Sequence, residues 1–194
     1  MPPFEQNILQ VWKLYKEAED FITEVSSLQD GLDTPAVNQL RYAGRHLLNS
    51  LTGKTSIAPE QEYERAVAHV KRASFDALDS GIIYCLREIQ FFRNDYQKIE
   101  ITTPGYLNII SSARKAKYLL DKARKDFDNR HEYYQEARKH FKLLKEACEV
   151  LEDTRSEQNK RLSSHNRKIF ITYMFLFGTI LSAIFTALTF FSSP

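Results

Sequence analysis

Apolar residues recur at alternating spacings of three and four along most of the chain, which is the period of one helix face. The first such stripe comprises Phe4, Ile8, Val11, Tyr15, Ala18, Ile22 and Val25. The long periodic segments are each preceded by proline, at Pro3, Pro35, Pro59 and Pro104. Proline is tolerated there because the first turn of a helix lacks a partner for that N–H. The pattern therefore predicts an all-α bundle of four to five helices.

The second and third helices can be described more closely. Thr34 is expected to cap the second helix, with Pro35 at its first position. The buried stripe of this helix is predicted to comprise Val37, Leu40, Gly44, Leu47 and Leu51. Gly44 would allow another backbone to come close. The third helix is long, and a kink is expected at Ser80 and Gly81.

Residues 106–168 contain neither glycine nor proline and continue the helical rhythm. Two structures fit this segment: one rod of about 60 residues, or a hairpin in which Asp128 or Asn129 caps a new helix with Glu132 in a capping box. We favour the hairpin, because a compact bundle buries more of the N-terminal helical trio in residues 1–105. In both structures the last helix of the bundle runs directly into the segment that follows.

Residues 169–191 are uncharged and long enough to cross a hydrocarbon core of about 30 Å as one helix. The alternative is a buried core helix. Basic residues lie just before this segment: Lys160, Arg161, His165, Arg167 and Lys168. Positive flanks stay in the cytoplasm. The sequence therefore predicts a tail-anchored, single-pass protein of the lipid bilayer, with residues 1–168 in the cytoplasm and a single C-terminal transmembrane helix.

Small and hydroxyl side chains recur within the predicted span. They are Thr172, Gly178, Thr179, Ser182 and Thr186. Small residues four apart let transmembrane helices approach closely, so this stripe predicts a homo-oligomer in which the hydroxyl side lines a narrow path. The alternative is ordinary transmembrane composition.

Charge is unevenly distributed, because residues 1–105 carry a net charge of −4 and residues 106–168 one of +6. The basic half is expected to attract either anionic lipid or an anionic ligand such as a nucleotide or RNA. Cys85 and Cys148 show neither metal nor redox spacing. The sequence has no Gly-rich phosphate loop, His/Cys metal cluster or nucleophile elbow, which argues against most enzyme classes. We expect no cofactor and no metal.

One segment has side chains suited to catalysis or to binding an anion: Arg41-Tyr-Ala-Gly-Arg45-His46. It resembles the R-x4-6-H motif of HEPN ribonucleases, all-helical domains that pair the two residues across a dimer. The resemblance implies that His46 acts as general acid or base and that Arg41 stabilises charge on the phosphate. Two alternatives remain: Arg41, Arg45 and His46 form a non-catalytic anion or nucleotide site, or the arginines are solvated and His46 packs at the edge of the bundle. Arg124 and His131 fit the same spacing.

The architecture of a small helical domain with a membrane helix resembles the effectors of bacterial antiphage systems, including channel subunits of the Hailong type. This resemblance implies an oligomeric effector of the bacterial inner membrane, which senses a signal with its bundle and opens or disrupts the membrane. A membrane-tethered HEPN-type ribonuclease is one alternative. Another is a syntaxin-like SNARE or scaffold protein, whose layout the helical trio, the heptad segment around Arg130 and the C-terminal anchor resemble.

Overall fold

The computed structural model describes residues 3–53, 55–126 and 128–192. The described residues form five helices: α1 (Pro3–Gln29), α2 (Thr34–Thr52), α3 (Pro59–Asp95), α4 (Tyr106–Lys125) and α5 (Arg130–Ser192). No strand occurs among them. The predicted all-α fold is confirmed, and the last bundle helix continues into the apolar C-terminal segment as one helix, α5, as predicted.

Helix α1 packs on α3 through the predicted stripe. Val11, Ala18, Ile22 and Val25 are buried, and Tyr15 is half-buried. The side chain of Phe4 lies outside the described residues. The spacing of three and four therefore identified the buried face of α1 correctly.

Helix α2 packs closely on α3, but its cap and its buried face differ from the prediction. Asp33, and not Thr34, caps the helix, since its carboxylate accepts a hydrogen bond of 3.1 Å from the N–H of Ala36. The buried residues of α2 are Ala36, Leu40, Ala43 and Ser50. Small residues let the two backbones approach, so the buried face is shifted by about one residue and Leu51 is half exposed.

Gly81 packs more closely against its neighbours than the other glycines of the described residues. It lies within an unbroken α3, where a Cβ atom would stand 2.7 Å from Cε2 of Phe141 on α5 and 3.2 Å from Cγ2 of Val25 on α1. Gly44, by contrast, has no heavy atom within 4 Å of such a Cβ. The prediction of a close approach at Gly44 is therefore wrong, and the close contact with neighbouring helices occurs at Gly81.

We expect Gly81→Ala to destabilise the bundle, because its methyl group would overlap the ring of Phe141. Overpacking of this kind costs about 1–3 kcal/mol, more than the gain of about 1 kcal/mol in helix propensity. Gly44→Ala is the matched control, since it gains the propensity without a clash. Thermal unfolding in detergent, followed by circular dichroism, measures both effects. Relative to the wild-type protein, the Tm should be lower in Gly81→Ala and higher in Gly44→Ala. Equal shifts in the two variants would contradict this account.

Helices α4 and α5 form the predicted hairpin. The turn is organised by Asp126, whose carboxylate accepts hydrogen bonds from the N–H of Asn129 at 3.2 Å and from the hydroxyl of Tyr133 at 3.1 Å. Arg130 Nε donates a bond of 3.1 Å to the carbonyl of Ala123 across the turn. The hairpin is confirmed, although the side chain that holds the turn precedes the predicted caps.

Helices α3 and α5 run parallel, side by side. Three contacts fix their register: Phe75 with Tyr134, Gly81 with Phe141, and Asp95 with Arg155. Residue numbers rise together along both helices in these contacts. The start of α5 therefore lies beside the first half of α3, and α5 leaves the bundle beside the C-terminal end of α3.

Polar contacts hold α5 where it leaves the bundle. Tyr96 donates a hydrogen bond of 2.8 Å to the side-chain oxygen of Asn159, and the buried Gln158 donates one of 3.1 Å to Thr102. Arg155 forms ion pairs with two carboxylates of α3, Asp95 at 3.3 Å and Glu88 at 3.7 Å. We call five of these residues the exit clamp: Tyr96, Thr102, Arg155, Gln158 and Asn159. They hold α5 mainly by hydrogen bonds and charge.

Beyond the exit clamp, α5 continues as a helix whose side chains are all exposed from Ile169 to Leu188. Within the described chain, α5 is the one helix that is long and apolar enough to cross a membrane. It is much longer than one span, because its first half belongs to the bundle. This agrees with the predicted anchor.

Candidate anion-binding groove

His46 of α2 is fixed by a buried carboxylate of α3. Its Nδ1 lies 2.5 Å from Oε2 of Glu62, whose side chain is 1% exposed. Thr55 donates a further hydrogen bond of 3.2 Å to the other carboxylate oxygen. The bond from His46, and then that from Thr55, hold the pKa of Glu62 below its usual range. Glu62 is therefore ionised at neutral pH, and His46 carries a proton on Nδ1.

His69 of α3 stacks against His46. The ring centroids are 5.2 Å apart and the planes nearly parallel, while Nδ1 of His69 lies 2.8 Å from the side-chain oxygen of Gln39. Burial, and then the positive charges of His46, Arg72 and Arg45, lower the pKa of His69. His69 is therefore neutral at pH 7 and is surrounded by basic side chains.

The structure separates the two arginines of the sequence motif. Arg41 bonds to Asn38 at 3.0 Å and lines a cleft against α1. Arg45 lies one turn later on α2, and its guanidinium is 5.3 Å from the ring centroid of Tyr42, which in turn lies 5.5 Å from His69. Within one chain, Arg45 and His46 therefore belong to the face of His69, whereas Arg41 does not.

A groove lined by basic side chains adjoins this face. Its volume is about 510 Å³, and its lining includes Arg65, His69, Lys71, Arg72, Asp76, Arg130 and Tyr134. We call it the basic groove. A neighbouring pocket of about 200 Å³ shares Lys71, Phe75 and Tyr134 with it. The rings of Phe75 and Tyr134 stack at 4.2 Å between the two spaces.

Sequence reasoning missed most of the basic groove. Arg65, His69 and Arg72 recur at spacings of four and three on α3, so their common face was visible in the sequence. Arg130 and Tyr134 come from the first turns of α5, about 60 residues later. Only the parallel register of α3 and α5 brings the two groups together.

Carboxylates stand beneath the basic groove. Burial raises the pKa of Asp76, and the charge of Arg72 opposes this shift. Burial likewise raises the pKa of Asp79, which lies 3.5 Å from Arg124. Burial and then the negative charge of Asp79 raise the pKa of Tyr134 to about 12. The lining of the groove therefore combines cations with the carboxylate of Asp76 and the neutral phenol of Tyr134.

No protein-family model, curated protein or solved structure matches the chain. The side chains themselves fit an anion. Arg65, Arg72 and Arg130 all line one open space, and a guanidinium group pairs with phosphate or carboxylate by two parallel hydrogen bonds. The groove thus presents the side chains that a phosphate or carboxylate group requires.

A second candidate surface lies on the exposed half of α5. Ile171, Met174, Phe175, Gly178, Thr179 and Ser182 line a shallow groove along the helix. The five small and hydroxyl residues predicted for self-association lie within an arc of about 120°, at about 100° per residue. The hydroxyl groups of Thr172, Thr179 and Thr186 donate to carbonyls of their own helix at 2.7–2.9 Å. This side of α5 therefore carries small side chains, and most of its hydroxyl donors are bonded within the helix.

Proposed function

We propose that this protein is an oligomeric, single-pass membrane effector, which senses an anionic ligand with its cytosolic bundle and then opens or disrupts the membrane. The observation that carries the proposal is the continuity of α5. Its first turns line the basic groove, and its last 20 or so residues form the apolar span. One helix of 63 residues, about 95 Å long, joins the two.

The orientation follows from charge near the span. Basic residues precede Ile169 on α5, and Arg161 among them pairs with Glu157 at 2.8 Å. Because positive flanks stay in the cytoplasm, the bundle faces the cytoplasm. The architectural resemblance to Hailong-type subunits implies the bacterial inner membrane and a role in antiphage defence, and we propose both.

The ligand that best fits the basic groove is a nucleotide or oligonucleotide. Arg65 and Arg72 provide forked donors for phosphate oxygens, and Phe75 with Tyr134 provides an aromatic wall beside them. A purely lipidic anion would need a site at the membrane surface. The groove instead lies at the start of α5, the end of the helix opposite the apolar span.

The test uses the full-length protein reconstituted into dye-loaded liposomes. Mononucleotides and short DNA and RNA oligonucleotides serve as probes, and dye release is compared with and without each probe. We expect at least one probe to change the leakage rate, and we expect a tetramer or larger oligomer in detergent by mass photometry. A monomer at micromolar concentration, or leakage that no probe alters, would contradict the proposal.

A membrane-tethered ribonuclease is the second candidate, and one contact favours it. The buried Glu62 holds Nδ1 of His46, which orients the ring and leaves Nε2 for proton transfer. If the protein cleaves RNA at this site, His46→Ala should reduce cleavage about 100-fold or more. His131→Ala, at the other match to the motif, is the control. Cleavage that survives His46→Ala would exclude His46 as the catalytic group.

A further inference from the structure

The two cysteines lie opposite each other across the α3–α5 interface. Cys85 of α3 is fully buried, and Cys148 of α5 is half-buried against the same core. The thiol of Cys85 donates a hydrogen bond to the sulfur of Cys148. Gly81, one turn earlier along α3, contacts the ring of Phe141 on α5, so the same faces of the two helices pack together here. Both cysteines are free thiols.

Only Cys148 is open to a small reagent. It lines a cleft of about 390 Å³ on the surface of the bundle, together with Tyr84, Glu88 and Glu149. Cys85 is not part of that lining. The hydrogen bond from Cys85 lowers the pKa of Cys148, whereas that hydrogen bond and then burial raise the pKa of Cys85. Cys148, the sulfur that a reagent can reach, is therefore the attacking thiol, and Cys85 is the thiol behind it.

The charge and size of the cleft limit which oxidants can reach Cys148. Its lining carries four carboxylates, those of Glu88, Glu149, Glu152 and Asp153, and one guanidinium, that of Arg155. Excess negative charge repels anionic reagents such as glutathione disulfide. A small, uncharged hydroperoxide can enter. The size and charge of the cleft thus point to peroxide as the oxidant.

We propose that Cys148 and Cys85 form a redox-active dithiol, which a hydroperoxide converts into an intrachain disulfide between α5 and α3. The Cys148 thiolate attacks the O–O bond, an S–O bond forms, and the leaving oxygen takes a proton and departs as water or alcohol. The Cys85 sulfur then attacks the Cys148 sulfur, the S–O bond breaks, and water leaves with the proton of Cys85. The two sulfurs lose two electrons in total, and the peroxide is reduced by two electrons.

The disulfide would tie α5 to α3 between the basic groove and the exit clamp. In the oxidised protein the two helices could no longer move independently. This proposal concerns the bundle alone and does not depend on the function proposed above. It can hold whether or not the protein permeabilises membranes.

The test treats the full-length protein in detergent with graded hydrogen peroxide and then maps the cysteines by mass spectrometry. We expect loss of both free thiols, a peptide pair joined through Cys85 and Cys148, and full recovery after dithiothreitol. In Cys85→Ser, or in Cys85→Ala if the serine variant does not fold, we expect Cys148 to accumulate as sulfenic acid that dimedone labels. In Cys148→Ser, Cys85 should stay reduced.

Three outcomes would overturn the proposal. The first is that both thiols of the wild-type protein remain free after peroxide treatment. The second is a disulfide that joins two chains and not Cys85 to Cys148 of one chain. The third is that Cys148→Ser leaves Cys85 as reactive toward peroxide as in the wild-type protein. The wild-type crosslink decides the question even if every variant fails to fold.

Discussion

We expect Gly178→Leu, in the apolar half of α5, to abolish ligand-dependent leakage from liposomes and to leave the bundle folded. A Cβ at Gly178 would meet no heavy atom within 4 Å, so the chain itself tolerates the larger side chain. A second helix packed against the small-residue stripe would not tolerate it, because close approach of the backbones provides much of the attraction between transmembrane helices. The expected effect is complete loss of the oligomer and of the leakage.

Ile180→Leu is the matched control for this experiment. Ile180 lies about 200° around the helix from Gly178 at about 100° per residue, and so on the opposite side. It is also exposed within the chain. Mass photometry should show oligomers for the Ile180 variant and monomers for the Gly178 variant, with equal helix content by circular dichroism. Unchanged leakage in Gly178→Leu would exclude this stripe as the oligomer interface.

Arg72→Ala should weaken binding of a phosphorylated probe to the basic groove about 10- to 100-fold. A charge-assisted hydrogen bond contributes about 1.5–3 kcal/mol, which corresponds to that range. The double variant with Arg65→Ala should reduce binding to the level of a nonspecific basic surface. Binding is measured by fluorescence polarisation of a labelled oligonucleotide at fixed ionic strength, since phosphate contacts are strongly salt-dependent.

Arg114→Ala controls for the change in total charge. Arg114 is exposed on α4 and does not line the basic groove. Its loss should alter affinity less than about threefold, as for a solvated surface charge. If Arg72→Ala and Arg114→Ala weaken binding equally, binding depends on the total positive charge of the bundle and not on the groove.

Local patterns in the sequence predicted the helices and the hairpin because these depend on neighbouring residues. The three-four spacing of α1 identified Val11, Ala18, Ile22 and Val25 correctly. On α2 the same reasoning identified Leu40 correctly, but the rest of the predicted stripe was displaced by about one residue. Val37 and Leu47 are half-buried against the core and Leu51 is exposed, whereas Ala36, Ala43 and Ser50 are buried. Small residues carry little hydrophobic signal, and they are buried here because they let α2 approach α3.

The candidate site depends on distant pairs, which the sequence does not encode in any spacing. The motif around His46 was visible, but its carboxylate partner Glu62 lies on the next helix. The role of Gly81 requires knowledge of Phe141, and the basic groove requires the register of α3 against α5. Likewise, Cys85 and Cys148 show no redox spacing and meet only in the folded bundle.

The tight contact of Gly81 with Phe141 has a mechanical consequence for α5. If that contact acts as a fulcrum, the helix is a lever with arms of unequal length. The arm from Phe141 back to the groove residue Arg130 is about 16 Å, and the arm from Phe141 forward to Ile169 is about 42 Å. If the contacts of the exit clamp on the longer arm give way, a displacement of about 1 Å at the groove would become about 2.5 Å at the membrane surface. The geometry of the bundle would thus amplify a small movement before it reaches the bilayer.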